Sequence, residues 1–438
     1  MGVAKRSLAT LATQLVCLAL AFASAIVLAR VLGPEKKGVV TVTLLAPALA
    51  AVLFRLDLGS AVQYLAGRKP ECLPSYAGAA LAILAASGGA ALLATLFLHG
   101  AVRGGLFPEA DPVWFPWALA GVPLLALADL SLGTAVSEGR MGRYNAIQFC
   151  LGGLFPVLVL ALVLGPLPDV GGVVVALLAA SAAGALLGTA ATLRAIDGRP
   201  RLEGARVREL LSFGGRSLPG TALNTANVSI GILLLGCLSD ARTVGIYSIA
   251  ALAEKLSFPA VALKLAIVAP VASSPEPERS RLVALACRVA LWLAIAGALV
   301  LAAAAPWLLP ALFGEPFRPA LHPFWILLTG QVAISIAGPL TSYLGASNRP
   351  GLVSVAAAAN LAVAVGLGIA LVPEYGAAGA AWAASAGYLA NTLVLAAAFL
   401  ALSHARARDL ALLRREDMAI LARSIRGALG LRVDTIPP

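Results

Sequence analysis

Charge is the first thing this sequence lacks. Asp, Glu, Lys and Arg make up 12% of its 438 residues, about half the share found in an ordinary soluble domain. With 60% of residues hydrophobic, the chain reads as a multi-pass membrane protein. Histidine is nearly missing as well: His99, His322 and His404 are scattered and make no metal set. The five cysteines (Cys17, Cys72, Cys150, Cys237, Cys287) show no metal-type spacing and are expected as free thiols, so neither a metal nor a cofactor is predicted. No Gly-x-x-x-x-Gly-Lys-Ser/Thr loop occurs, which excludes a P-loop ATPase within this chain. No Ser/His/Asp or Cys/His constellation emerges, and no large outer loop exists to house catalytic groups. Those absences count against a membrane polymerase or ligase, and the chain is not expected to be an enzyme.

What is present is long apolar runs. Windows of about 20 residues predict twelve spans. The first six are 8–32, 39–65, 76–98, 114–136, 144–164 and 170–193. The second six are 213–238, 244–271, 282–309, 321–344, 352–372 and 377–402. The N-terminus, with Lys5, Arg6, an apolar core and Ala-Ser-Ala near residue 25, imitates a signal peptide. Its apolar stretch is long enough to span, so it is read as an uncleaved first helix. With that end inside, 23 Lys and Arg fall in cytoplasmic segments, against six outside (Arg30, Lys36, Lys37, Arg103, Arg242, Arg318). Both termini are therefore expected in the cytoplasm. The formal net charge of +11 is explained by this bias and by anionic lipid, so no nucleic acid partner is expected.

The chain repeats itself. LLGCLSDARTVGIYSIA (234–250) echoes LARVLGPEKKGVVTVT (28–43), GASNRPGLVS (345–354) echoes SEGRMGRYN (137–145), and VPEYGAAGAAWAAS (372–385) echoes LPDVGGVVVALLAA (167–180). The second echo aligns Arg349 with Arg140 and the third Pro373 with Pro168, all three at offsets of 205 to 209. Six spans per half is an even number, so the halves have parallel topology. The predicted fold is an all-α integral membrane protein of 12 transmembrane helices, in two six-helix lobes around a central cavity. The lobes are residues 1–197 and 198–402, and a basic amphipathic tail over 403–438 is expected on the inner leaflet. The 43 glycines allow helices to approach closely in lipid.

These landmarks carry a family resemblance. LARVLGPEKKGV, LDLGSA and SEGRMGRYN resemble the first half of the polysaccharide (O-antigen and teichoic-acid) flippases. LLSFGGRSLPGTAL, VGIYSIAALAEKLSFP, LGASNRPGL and LVPEYGAAGAAWAAS resemble their second half. That family belongs to the multidrug/oligosaccharidyl-lipid/polysaccharide exporter superfamily, and the resemblance covers about residues 5 to 402. It implies two lobes around a cavity and a polyprenyl-pyrophosphate-linked oligosaccharide as cargo. It also implies the bacterial plasma (inner) membrane as location.

Polar residues inside the spans are the candidate cavity residues. Arg55 lies about 24 Å down span two, at 1.5 Å per residue, in the cytoplasmic quarter of a core about 30 Å thick. Either it snorkels to the inner interface or it pairs with an aspartate. On a helix, Arg55 and Asp57 point about 200° apart, so Asp129, at similar depth in span four, is the other candidate partner. In span eight, Glu254 and Lys255 fall near mid-membrane, and Pro259 leaves the Lys255 carbonyl without its helical donor. Lys255 then either lines a polar cavity or forms a structural pair with Glu254, while Lys264 snorkels. Asn224, Asn227, Gln331, Asn360 and Asn391 lie at mid-span, where each is either interhelical glue or a contact for sugar hydroxyls.

The expected function is a flippase carrying the glycolipid from the cytoplasmic to the outer leaflet by alternating access, driven by membrane potential or by ion antiport through Glu254, Asp57 or Asp129. A cation or drug antiporter of the same superfamily is the alternative, and a polymerase or ligase the lesser one. Expected partners are the glycan-lipid cargo and anionic membrane lipids, with proteins of the glycan pathway as further candidates. The chain is expected to act as a monomer.

Overall fold

The computed structural model describes residues 3–196, 200–257, 271, 273–403 and 405–412, and every regular element among them is helical. Nine helices among the described residues are long and apolar enough to cross a membrane, so this is an integral multi-pass membrane protein. Twelve separate spans were expected, and the difference has two sources. Helix α1 (Val3–Phe54) encloses the first expected span and most of the second, kinked where Gly33 adopts φ 70 just before Pro34. Only glycine enters that region without a Cβ clash, and proline cannot donate backward into the preceding turn. Near the C-terminus, Pro350–Leu402 encloses spans eleven and twelve and kinks at Gly376, with φ 52. Span eight is described only in part: Ala241–Ala250 is α-helical and Ala251–Ser257 is a 3₁₀ run. Pro259 and Lys264, with the roles expected of them, lie outside the described residues. So does the tail from residue 413 on.

Between these come α2 (Leu58–Arg68), α3 (Leu73–Leu106), α4 (Phe115–Ala120), α5 (Val122–Ser137), α6 (Met141–Phe149), α7 (Phe155–Val163) and α8 (Val170–Ala195). They are followed by α9 (Gly204–Leu238), α10 (Ala241–Ala250), α11 (Glu278–Phe313), α12 (Leu321–Ile334), α13 (Ala337–Ala346), α14 (Pro350–Leu402) and α15 (Ala407–Ala411). Span two corrects a sequence expectation. It is not one helix over 39–65: α1 stops at Phe54, and Leu56 and Asp57 take positive φ (51 and 52) before α2 begins. Arg55 and Asp57 therefore share no helix, and no helical angle separates them.

The two turns paired by the second sequence echo share a backbone geometry. Gly139 and Asn348 both have positive φ. In the same two turns Arg140 N donates to Ala135 O at 2.9 Å and Arg349 N to Leu344 O at 2.9 Å. Both connections thus close their helix with one left-handed residue and the same backbone bond, and Asn replaces Gly because its short side chain tolerates that region.

The chain divides into two compact units. The first comprises Met1–Ile249, Trp307–Leu321 and Gly368–Ala380, and the second Ala250–Pro306, His322–Leu367 and Ala381–Pro438. The first unit has one apolar core around Leu58, Val62, Tyr76, Ile83, Leu130 and Leu210, and another around Leu28, Val40, Val159, Val163 and Val174. The core of the second gathers Val283, Cys287, Leu340, Tyr343, Leu395 and Phe399. Alanine is the commonest buried hydrophobic residue, while Phe97, Leu96, Leu299 and Trp307 stand exposed. That inversion suits a lipid surround, where large apolar groups face outward and small ones let backbones meet.

Candidate functional site

The candidate residues are divided between the two units. In the first unit the break after α1 builds a polar elbow. Arg55 Nη1 lies 3.3 Å from Asp129 Oδ1 on α5, both half-buried. Of the two partners weighed for Arg55, Asp129 is the one it meets. Its Nε is buried without a hydrogen-bond partner among the described residues. Asp57 is only 5% exposed and turns the other way. Its Oδ1 accepts from Ser60 Oγ at 2.8 Å and its Oδ2 from Thr221 Oγ1 of α9 at 3.4 Å.

Two consecutive non-glycine residues at positive φ store roughly 1–3 kcal/mol of strain each, so the surroundings must hold them. They do so by close approach. A Cβ on Gly214 would overlap the Leu56 carbonyl, one on Gly133 the Gly59 carbonyl, and one on Gly59 would sit 2.6 Å from Asp129 Oδ2. Three glycines thus press α5 and α9 against the elbow from two sides. LDLGS held a readable signal for it, an Asp ahead of a Gly-Ser helix start, but the apolar run around it masked the break.

Below the elbow, α3 and the start of α9 are clamped together. Tyr76 Oη donates to Glu209 Oε2 at 2.5 Å, Ser75 Oγ to Glu203 Oε1 at 2.5 Å, and Arg206 pairs with Glu209 at 2.9 Å. This clamp was not anticipated, because its carboxylates lie in the segment read as a loop.

In the second unit, Glu254 and Lys255 lie on the 3₁₀ run. Tyr388 Oη of α14 donates to Glu254 Oε1 at 3.0 Å. Lys255 is exposed, and no Glu254–Lys255 ion pair forms among the described residues. A 3₁₀ run turns by about 120° per residue rather than 100°, which presents the neighbours Glu254 and Lys255 on different sides. Tyr388 was missed because nothing in the sequence marks which residue of a 53-residue helix faces Glu254. Gln331 and Asn360 are buried at 3% exposure each. Asn360 lies where α14 folds back on itself, since a Cβ on Gly387 would overlap its Oδ1. Asn391 has a buried Oδ1 without a hydrogen-bond partner among the described residues. Asn227, in the first unit, is buried, whereas Asn224, one turn earlier on α9, is exposed. No single group therefore holds all ten candidates. Arg55, Asp57 and Asp129 come together, as do Glu254 and Tyr388.

Fold and site together define a polytopic helical membrane protein. The chain superposes on an inward-facing multidrug resistance MATE family transporter of the MOP superfamily with TM-score 0.71 at 16% identity, covering 87% of this chain and 94% of that one. It superposes on the lipid II flippase MurJ in an inward closed conformation with TM-score 0.73 at 12% identity, covering 98% and 93%. A MOP superfamily transporter from Pyrococcus furiosus gives TM-score 0.59 at 15% identity, covering 90% and 93%. At these identities the likeness shows a shared fold. No curated protein sequence matches the chain. The family is set by sequence: the model described as polysaccharide biosynthesis protein matches residues 3–256, more than half the chain. The protein belongs to that family.

Proposed function

We propose that this protein is a flippase that moves a polyprenyl-pyrophosphate-linked oligosaccharide from the cytoplasmic to the outer leaflet of the bacterial plasma membrane. The observation that carries the reading is the family match over residues 3–256. The fold shared with a lipid II flippase and with MATE transporters supports transport rather than polymerisation or ligation. In this reading two six-helix lobes, residues 1–197 and 198–402, open alternately to the two sides while the lipid tail stays in the bilayer. In this reading exposed Lys255 is the group that faces the pyrophosphate. Each negative charge moved outward against an inside-negative potential gains about 2.3 kcal/mol per 100 mV. A pyrophosphate with roughly two charges then gains about 4–5 kcal/mol with no coupling ion.

The test is the sidedness of lipid-linked oligosaccharide in cells carrying wild type, Lys255→Ala or no copy. Accumulation on the inner leaflet in the null and in Lys255→Ala is the expected result. Accumulation in the null alone keeps the flippase and makes Lys255 structural. No accumulation in either moves the assignment to a cation or drug antiporter, the reading that the MATE fold supports. Against that alternative stands exposed Lys255, whose charge repels cationic cargo.

A further inference from the structure

The two segments of the first echo meet each other, and they meet reciprocally. A Cβ on Gly38 would overlap the Ala241 carbonyl, and a Cβ on Gly245 would overlap the Pro34 carbonyl. The same two Cβ positions fall 3.0 Å from Gly245 N and 3.1 Å from Gly38 N, so the glycines lie face to face. Gly38 and Gly245 correspond in the repeat, as do Pro34 and Ala241. Each half therefore makes on the other the contact that it receives, as it must where an internal two-fold axis passes between them.

A second pair of contacts follows the same symmetry. Arg30 of α1 donates through Nε to Leu312 O at 2.8 Å and through Nη2 to Ala311 O, at the end of α11. Its repeat counterpart Cys237 of α9 donates to Leu106 O at 3.1 Å, at the end of α3. The sequences there, LFPE (106–109) and LFGE (312–315), are a further echo. All of these residues belong to the first unit, and the charge bias places this end of the spans outside.

We propose that the Pro34–Gly38/Ala241–Gly245 crossing is an outer gate, a backbone-to-backbone seal between the two repeats that must part for the protein to open outward. Its construction fits a contact made and broken repeatedly. The glycines interlock no side chains, and weak Cα–H···O approaches hold the faces together. Arg30 ties the rim by capping the α11 carbonyls, a favourable place for a cation. The gate rests on the two-lobe reading above, but its test needs no cargo.

The experiment uses the full chain with its native cysteines replaced by serine and a reporter Val42→Cys. Val42 is 1% exposed and lies about one turn below Gly38, with Cγ2 3.3 Å from the Cβ position of Gly236. Intact cells are treated with a membrane-impermeant maleimide. Gly38→Leu is expected to raise the outside labelling rate about tenfold or more, since an overpacked crossing cannot close. Arg30→Ala, which adds no bulk, is expected to raise it about threefold, as loss of a helix-terminal cation would. Unchanged rates in both variants overturn the gate. If Gly38→Leu yields no folded protein, Arg30→Ala decides alone. Labelling that rises only with reagent on the cytoplasmic face also overturns it, since the crossing would then lie inside. Rising outside labelling in a protein that moves no glycolipid leaves the gate standing and sinks only the cargo assignment.

Discussion

Arg55 shows how much one residue's surroundings decide. Half-buried beside Asp129, it leaves an uncompensated carboxylate when removed. Arg55→Ala is expected to destabilise the protein by roughly 1 kcal/mol, since partial exposure screens the pair. Asp129→Ala should do likewise, and the double variant should cost less than the two combined, as a double-mutant cycle by thermal unfolding in detergent would read. Simple additivity would show that the pair contributes nothing. Asp57 behaves differently because it holds a left-handed backbone and accepts from two hydroxyls. Asp57→Asn, which tolerates that conformation and keeps an acceptor, should stay near wild-type stability. Asp57→Val should lose about 2 kcal/mol or more, through β-branched strain and lost hydrogen bonds. From the sequence, Arg55 and Asp129 are expected at a similar depth. Which aspartate the arginine meets is fixed by a helix break that an apolar run conceals.

Among elements, the glycines sort into those that receive a neighbour and those that do not. Gly133 receives the backbone of Gly59, whereas Gly142 of α6 has open space where its Cβ would be. Gly133→Ala should cost about 1–3 kcal/mol because α2 and α5 must separate. Gly142→Ala should be neutral, or stabilise by about 0.5–1 kcal/mol through helix propensity. Equal melting temperatures for the two variants would contradict this packing. Composition predicts that glycines allow close approach in lipid. It does not say which ones do, because approach depends on residues as far as 207 positions away, as for Gly38 and Gly245.

For the whole molecule, the prediction concerns the driving force. If potential alone moves an anionic headgroup outward, dissipating the proton gradient at constant potential should leave flipping within about twofold of its normal rate, whereas collapsing the potential should slow it strongly. Loss of flipping with the potential intact would point to proton antiport, with Asp57, Asp129 and Glu254 as the carboxylates to substitute first. The readout is glycolipid sidedness in energised vesicles under each ionophore.

The sequence by itself determined that the chain lives in a membrane and that it is helical. Those properties follow from composition and periodicity, which act locally and survive any packing arrangement. Its family is equally a property of sequence. Tertiary structure alone decided where span two breaks, that Tyr388 rather than Lys255 engages Glu254, and that Gly38 and Gly245 meet across the repeat. Each of these depends on which distant backbone comes within about 4 Å, the range over which packing forces act, and no run of neighbouring residues encodes that distance.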